Sequence, residues 1–313
     1  MDKKISDIKD LSITECLVDN CINDSGGNFW NNFSELNVDD VKSNGYSVYY
    51  NSKYPDKRSL PDPDACSERL YEFHGVLWEK QRKQTEFLNL NIPQIVICQK
   101  SIWFKLNNKN IALGSDSIMN IYWHRTSGNM PEIMKKISQT KSNYKEFIKE
   151  YLKKANTIGG FVLFTRHNNS INQQRGKRPI DDRFDLTLEC IRRAYQYRDF
   201  YREDNNPLFG LSEEDKKFFR MFGSFENYAK FFCLNKSYDG KHNWVTEDCS
   251  AVYDLMSENG EKTLLKEGWP EKILPCDYTS EEEKVAKWWI FYRNIMNRLD
   301  ARNEQIKEVI EGK

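Results

Sequence analysis

IPQIVICQKSIWFKLNNKNIALG, residues 92–114, decides the fold class. It holds three short β-prone runs, IPQIVICQ (92–99), SIWFKL (101–106) and NIALG (110–114). Lys100-Ser101 separates the first two, and Asn107-Asn108-Lys109-Asn110 the last two. Asn-rich dipeptides suit tight reversals, so the spacing predicts an antiparallel meander. Just upstream, DKRSLPDPDA (56–65) carries turn and helix-start signals. The helix it opens covers 67–82, with Leu70, Phe73, His74, Leu77 and Trp78 on one apolar stripe. A histidine in that stripe reads first as a satisfied core residue. Further upstream, SVYYN (47–51) alternates as a strand does. Residues 1–45 are polar and rich in Asn, Asp and Ser, and predict short, loosely packed elements.

Downstream, residues 114–117 (GSDS) read as the end of a strand and a turn. Residues 130–154 form a basic helical segment, and ANTIGGFVLFTR (155–166) sets a Gly-Gly turn before a strand over Phe161–Thr165. Helical patterns then follow at 181–201, 212–222, 224–235, 247–257 and 280–311. FFRMFGSFENYAKFF (218–232) is aromatic at helical spacing, which suits a core, with a base-stacking platform as the lesser alternative. The class that results is α+β: antiparallel strands mainly in the N-terminal half, packed with a largely helical C-terminal half. The expected organisation is a polar segment at 1–45 and a single domain over 46–313.

Composition narrows the function classes. The chain has 47 basic and 47 acidic side chains, and 39% of its residues are hydrophobic. That balance excludes a disordered chain and a protein that coats nucleic acid through bulk charge. Eight cysteines and four histidines show no Cys-x-x-Cys pair and no ligand spacing, so no metal is expected. No P-loop, dinucleotide fingerprint or Gly-x-Ser-x-Gly elbow is present, so no cofactor is expected either. The N-terminus lacks an apolar signal core, and no apolar run reaches the ~18 residues of a membrane span. The expected setting is cytoplasmic, with reduced, mostly buried thiols and no membrane partner.

The stretch TRHNNSINQQRGKRPIDDRFDLTLECIRR (165–193) carries the candidate chemistry. A strand ends at Thr165, a polar run follows, and a helix begins near Asp181-Asp182. Long polar runs are usually solvated surface. Here Asn168, Asn169, Ser170, Asn172 and Gln173 offer the paired donors and acceptors that read a base edge or a ribose. Arg175 sits beside Gly176, which lets backbone approach a ligand closely. At about 100° per residue, Phe184, Leu188, Ile191 and Tyr195 form the apolar stripe of the following helix. Asp182, Asp185, Glu189, Arg192, Arg193 and Gln196 share another face. That face is either a solvated set of i,i+4 ion pairs or a pocket wall whose carboxylate acts on water or a cationic transition state.

Charge is uneven along the chain. Residues 166–202 hold nine basic and five acidic side chains, while 203–313 hold sixteen and twenty-two. The concentrated positive charge therefore coincides with the polar run, where a confined patch steers a polyanion without coating it.

The chain resembles a bacterial family that carries a domain-of-unknown-function label. The resemblance rests on DPDACSERLYEFHGVLW (62–78), LGSDSIMNIY (113–122), GGFVLFTRHNNSINQQRGKRPIDDRFDLTLECIRRAY (159–195), PLFGL (207–211), FFRMFGSFENYAKFF (218–232) and ARNEQI (301–306). Residues 79–91 depart from it, being rich in Lys and Gln in place of a Pro-Gly turn. The resemblance carries a link to anti-phage defence. It implies a DNA glycosylase that removes glucosylated hydroxymethylcytosine from phage DNA and leaves an abasic site, with DNA as partner. In such an enzyme the base is flipped out of the stack. Asn172 and Gln173 would read the base or its sugar, Arg175 and Arg183 would hold phosphates, and Asp182 or Asp185 would stabilise the oxocarbenium-like sugar, with Glu189 as second choice. Two readings compete: a hydrolase or transferase acting on a free nucleotide or ADP-ribose, and a non-catalytic sensor of a phage component.

Overall fold

A computed structural model describes residues 68–98, 101–118, 132–155, 157–166, 183–196, 212–236, 243–258 and 278–312. The first helix, α1, spans Glu68–Arg82. Three strands follow, β1 (Ile95–Cys98), β2 (Ser101–Leu106) and β3 (Lys109–Ser117). Asn107 and Asn108 adopt φ of 48° and 63°, the left-handed pair a two-residue hairpin requires. The meander thus forms where the Asn-rich break lies.

Helices α2 (Glu132–Thr140) and α3 (Tyr144–Ala155) intervene before β4 (Phe161–Thr165), which pairs antiparallel with β3. The sheet order is β1-β2-β3-β4. β3 runs through Ser115, Asp116 and Ser117, where the sequence suggested a turn. Those residues pair with Leu163, Val162 and Phe161, a partner strand supplied from beyond two helices. At Gly160 an added Cβ would lie 2.0 Å from the Ala155 carbonyl oxygen, so only glycine lets α3 turn this tightly into β4.

The C-terminal half holds α4 (Phe184–Gln196), α5 (Glu213–Arg220), α6 (Phe225–Phe231) and α7 (Glu281–Glu311). The class is α+β, as expected. Residues 247–257 are not a helix. Val245 and Val252 form an antiparallel bridge there, and Asp248 Oδ1 accepts from Thr246 Oγ1, Ser250 N and Ser250 Oγ. An aspartate that binds its own neighbourhood favours a turn over a helix interior.

The aromatic run 218–232 is core. Trp78 of α1 lies between Phe104 of β2 and Phe218, Phe222, Phe231 and Phe232, with ring centroids 5.0–6.5 Å apart. Each such side chain contributes about 1.5–3 kcal/mol on burial. α7 ties the layers together. Its buried Arg302 donates to the carbonyls of Phe232 (2.9 Å), Gly159 (2.6 Å) and Phe161 (2.7 Å). Among the described residues, no helix is long and apolar enough to cross a membrane. Cys190, Cys233 and Cys249 are free thiols, all buried.

Candidate functional site

β4 ends at Thr165, whose hydroxyl donates to Asp215 Oδ1. Asp215 is fully buried, and its other oxygen accepts from the Ser212 backbone N–H (3.1 Å). Ser212 in turn caps α5 through the Asp215 N–H. One carboxylate therefore fixes the end of the edge strand β4 to the start of a helix. Arg166 N then donates to Ala112 O (2.8 Å), the last ladder bond before residues 167–182.

The chain re-enters the described structure at Arg183. Its Nε and Nη2 donate to Asp185 Oδ1 (2.8 Å) and Oδ2 (2.7 Å), a bidentate pair. Nη2 also reaches Asp254 Oδ1 at 3.1 Å, and the guanidinium lies 5.4 Å from the Phe291 ring centroid. Asp185 Oδ2 accepts from the Leu255 N–H (3.1 Å), and Asp254 Oδ1 from the Met256 N–H (2.9 Å). The Asp185 side chain is 0% exposed and that of Asp254 35%. The first turn of α4 is thus bolted to a segment 70 residues away. Nearby, the Trp244 ring packs edge-on against Phe184 at 5.2 Å, and its indole N–H has no hydrogen-bond partner among the described residues.

Farther along α4, Glu189 is buried and accepts from Arg192 Nε (2.7 Å), Arg192 Nη2 (2.8 Å) and Arg193 Nε (2.8 Å). The described carboxylates of this face are not solvated, although Arg192 and Arg193 keep partial exposure and Gln196 is exposed. Asp185 and Glu189 are buried with arginines, and the helix is covered on nearly every side. A carboxylate whose oxygens are all held by guanidinium and amide donors is pre-empted as a base for water.

The Asn168, Asn169, Ser170, Asn172, Gln173, Arg175 and Asp182 candidates lie outside the described residues. Arg183, Asp185 and Glu189 lie on or beside one helix, in two separate ion-pair clusters. Nothing local in the sequence points to Asp254, Leu255 or Phe291. Each joins Arg183 or Asp185 across 70 residues or more, and no local periodicity marks such a partner.

A second buried pair lies across the sheet. His74 Nε2 is 2.9 Å from Ser115 Oγ. Burial, and secondarily the Arg302 charge, push the imidazole down to about 3, so it is neutral. The spacing suits a nucleophile and its base, but both groups are buried, and no carboxylate among the described residues orients the ring. The pair links α1 to β3 as a satisfied core contact. Among the described residues, no three His, Cys, Asp or Glu side chains are grouped to hold a metal ion.

The profile of a family described as a family of unknown function, DUF6994, matches residues 47–306. The chain belongs to the DUF6994 family. No curated protein and no solved structure matches it. The match spans the sheet, α4 and most of α7, so both anchors of the polar stretch belong to the family's domain.

Proposed function

We propose that this DUF6994 protein is a DNA glycosylase of anti-phage defence, which hydrolyses the N-glycosidic bond of a glucosylated hydroxymethylcytosine-type base and leaves an abasic site. One observation carries the reading. The polar stretch 167–182 leaves from a strand end held by Asp215 and returns at a helix start held by Asp185 and Asp254. A ligand-reading segment needs rigid supports at both ends to hold its amides within hydrogen-bond tolerance of a substrate.

In this reading Asn168, Asn169, Ser170, Asn172 and Gln173 bond to the flipped base and its sugar, and Arg175 holds a phosphate. Asp182 is the carboxylate that stabilises positive charge at the sugar and takes the proton of the attacking water. That water bonds to C1′ as the C1′–N bond breaks and the base departs. Arg183 and Asp185 are positioning residues, because they bond each other and the 254–255 segment. Glu189 holds Arg192 and Arg193.

The test is incubation of the purified protein with plain and glucosylated phage DNA, followed by alkali. Breaks confined to glucosylated DNA, and lost in Asp182→Asn, are expected. No breaks in either DNA overturns the reading. Release of a base from free nucleotides alone would replace it with the nucleotide hydrolase.

A further inference from the structure

The sheet has two unlike faces. Ile97, Phe104 and Ser115 point to α1, where they meet Gly75, Trp78 and His74. Strand alternation sends Val96, Trp103 and Ala112 to the opposite face. There they form one row, because Val96 pairs with Trp103 and Trp103 with Ala112. Arg166, bonded through its N–H to Ala112 O, extends the row at the end of β4. Its stem lies over Gly114, where an added Cβ would sit 3.4 Å from Arg166 Cβ. The neighbouring row pairs Lys105 with Asn110.

This face is covered along β4 and the far end of β3, where Val162, Phe164 and Asp116 are buried, and open at the Val96–Trp103–Ala112 row and beyond it. Val96 is 41% exposed, Trp103 is half-buried, and Ala112, Lys105, Asn110 and Arg166 are exposed. Its two charged side chains in contact with solvent are cations. The one carboxylate on this face of the described strands, Asp116, is buried at the far end. A large ring with small neighbours and flanking cations is the chemistry that takes a nucleobase and its phosphates. Arg166 stands two strands from Trp103, about 10 Å, a span that lets a base stack while its phosphate meets the guanidinium.

We infer that this sheet face binds an unpaired nucleic-acid strand, with a base stacked on Trp103 and flanking phosphates held by Lys105 and Arg166. The inference stands apart from base excision. It also places the strand where Arg166 leads directly into the polar stretch.

The test is fluorescence anisotropy of a labelled single-stranded DNA oligonucleotide of unmodified bases, titrated with the full chain. Wild-type protein binds it, and Trp103→Ala weakens binding about tenfold, as loss of one stacked base does. Trp103→Phe keeps a ring and stays within about threefold of wild type. Lys105→Glu and Arg166→Glu each weaken binding and flatten its salt dependence by about one phosphate contact. Lys105 is exposed, so its reversal decides the matter if Trp103→Ala fails to fold. Absence of wild-type binding, affinity unchanged in Lys105→Glu, or affinity unchanged in a folded Trp103→Ala overturns the inference. Because the probe carries no modified base, failure of excision does not alter this outcome.

Discussion

The first turn of α4 and its middle carry the same chemistry to different ends. At the start, Asp185 joins Arg183 to Leu255, and Arg183 joins Asp254 and Phe291. At the middle of the helix, Glu189 is equally buried, yet both of its arginines are three and four residues away on its own helix. One carboxylate couples distant segments, and the other only stiffens a helix. Burial alone therefore does not say what an ion pair is for. The identity and sequence distance of the partners does.

The largest expected effect breaks the long-range cluster. Asp185→Asn leaves Arg183 buried without its main counter-charge, and should cost about 3–5 kcal/mol in denaturant unfolding. Glu189→Gln should cost less, about 1–3 kcal/mol, because Arg192 and Arg193 are partly exposed and rehydrate. Equal losses for the two variants would erase the contrast. A double-mutant cycle sharpens it further: Asp185 should couple to Asp254 through Arg183, while Glu189 should show no coupling to Asp254 beyond about 0.5 kcal/mol.

Acid gives another probe. His74 sits near 3 when folded and near its ordinary value of 6.5 when unfolded. Between those values the unfolded chain binds the extra proton, so stability is full above 6.5 and falls as pH drops toward 3. The fall should approach about 1.4 kcal/mol per pH unit. His74→Gln should flatten that slope in a pH series of unfolding curves, whereas Glu189→Gln should leave the His74 contribution in place. The smallest effect lies at the cap of α7, where Ser280 Oγ accepts from the Glu283 N–H. Ser280→Ala should cost about 1 kcal/mol and leave both clusters of α4 unaltered.

Local pattern carried much of the fold. The stripe from Leu70 to Trp78, the strand over Phe161–Thr165 and the long helix ending near residue 311 were all legible, because each is written in its own periodicity. The extension of β3 was not, since Ser115 and Asp116 become strand only against β4, beyond two helices. Residues 247–257 looked helical by apolar spacing, but Cys249 takes φ of 53° and Asp248 folds the chain back on itself. The helical wheel grouped Asp185 with Glu189 correctly, yet a wheel cannot show what packs against it. Asp254 and Leu255 reach Asp185 and Arg183 only through the tertiary fold, so the buried anchor at the start of α4 had no local signature.

The proposed cleavage of a base from DNA leaves a small-molecule product. Mass spectrometry of the small molecules released from glucosylated DNA tests it most directly. Free glucosylated base is expected from the wild-type protein and none from Asp182→Asn. A soluble fraction with no released base from the folded wild-type protein would contradict it, as would undiminished release from Asp182→Asn for the role given to that carboxylate.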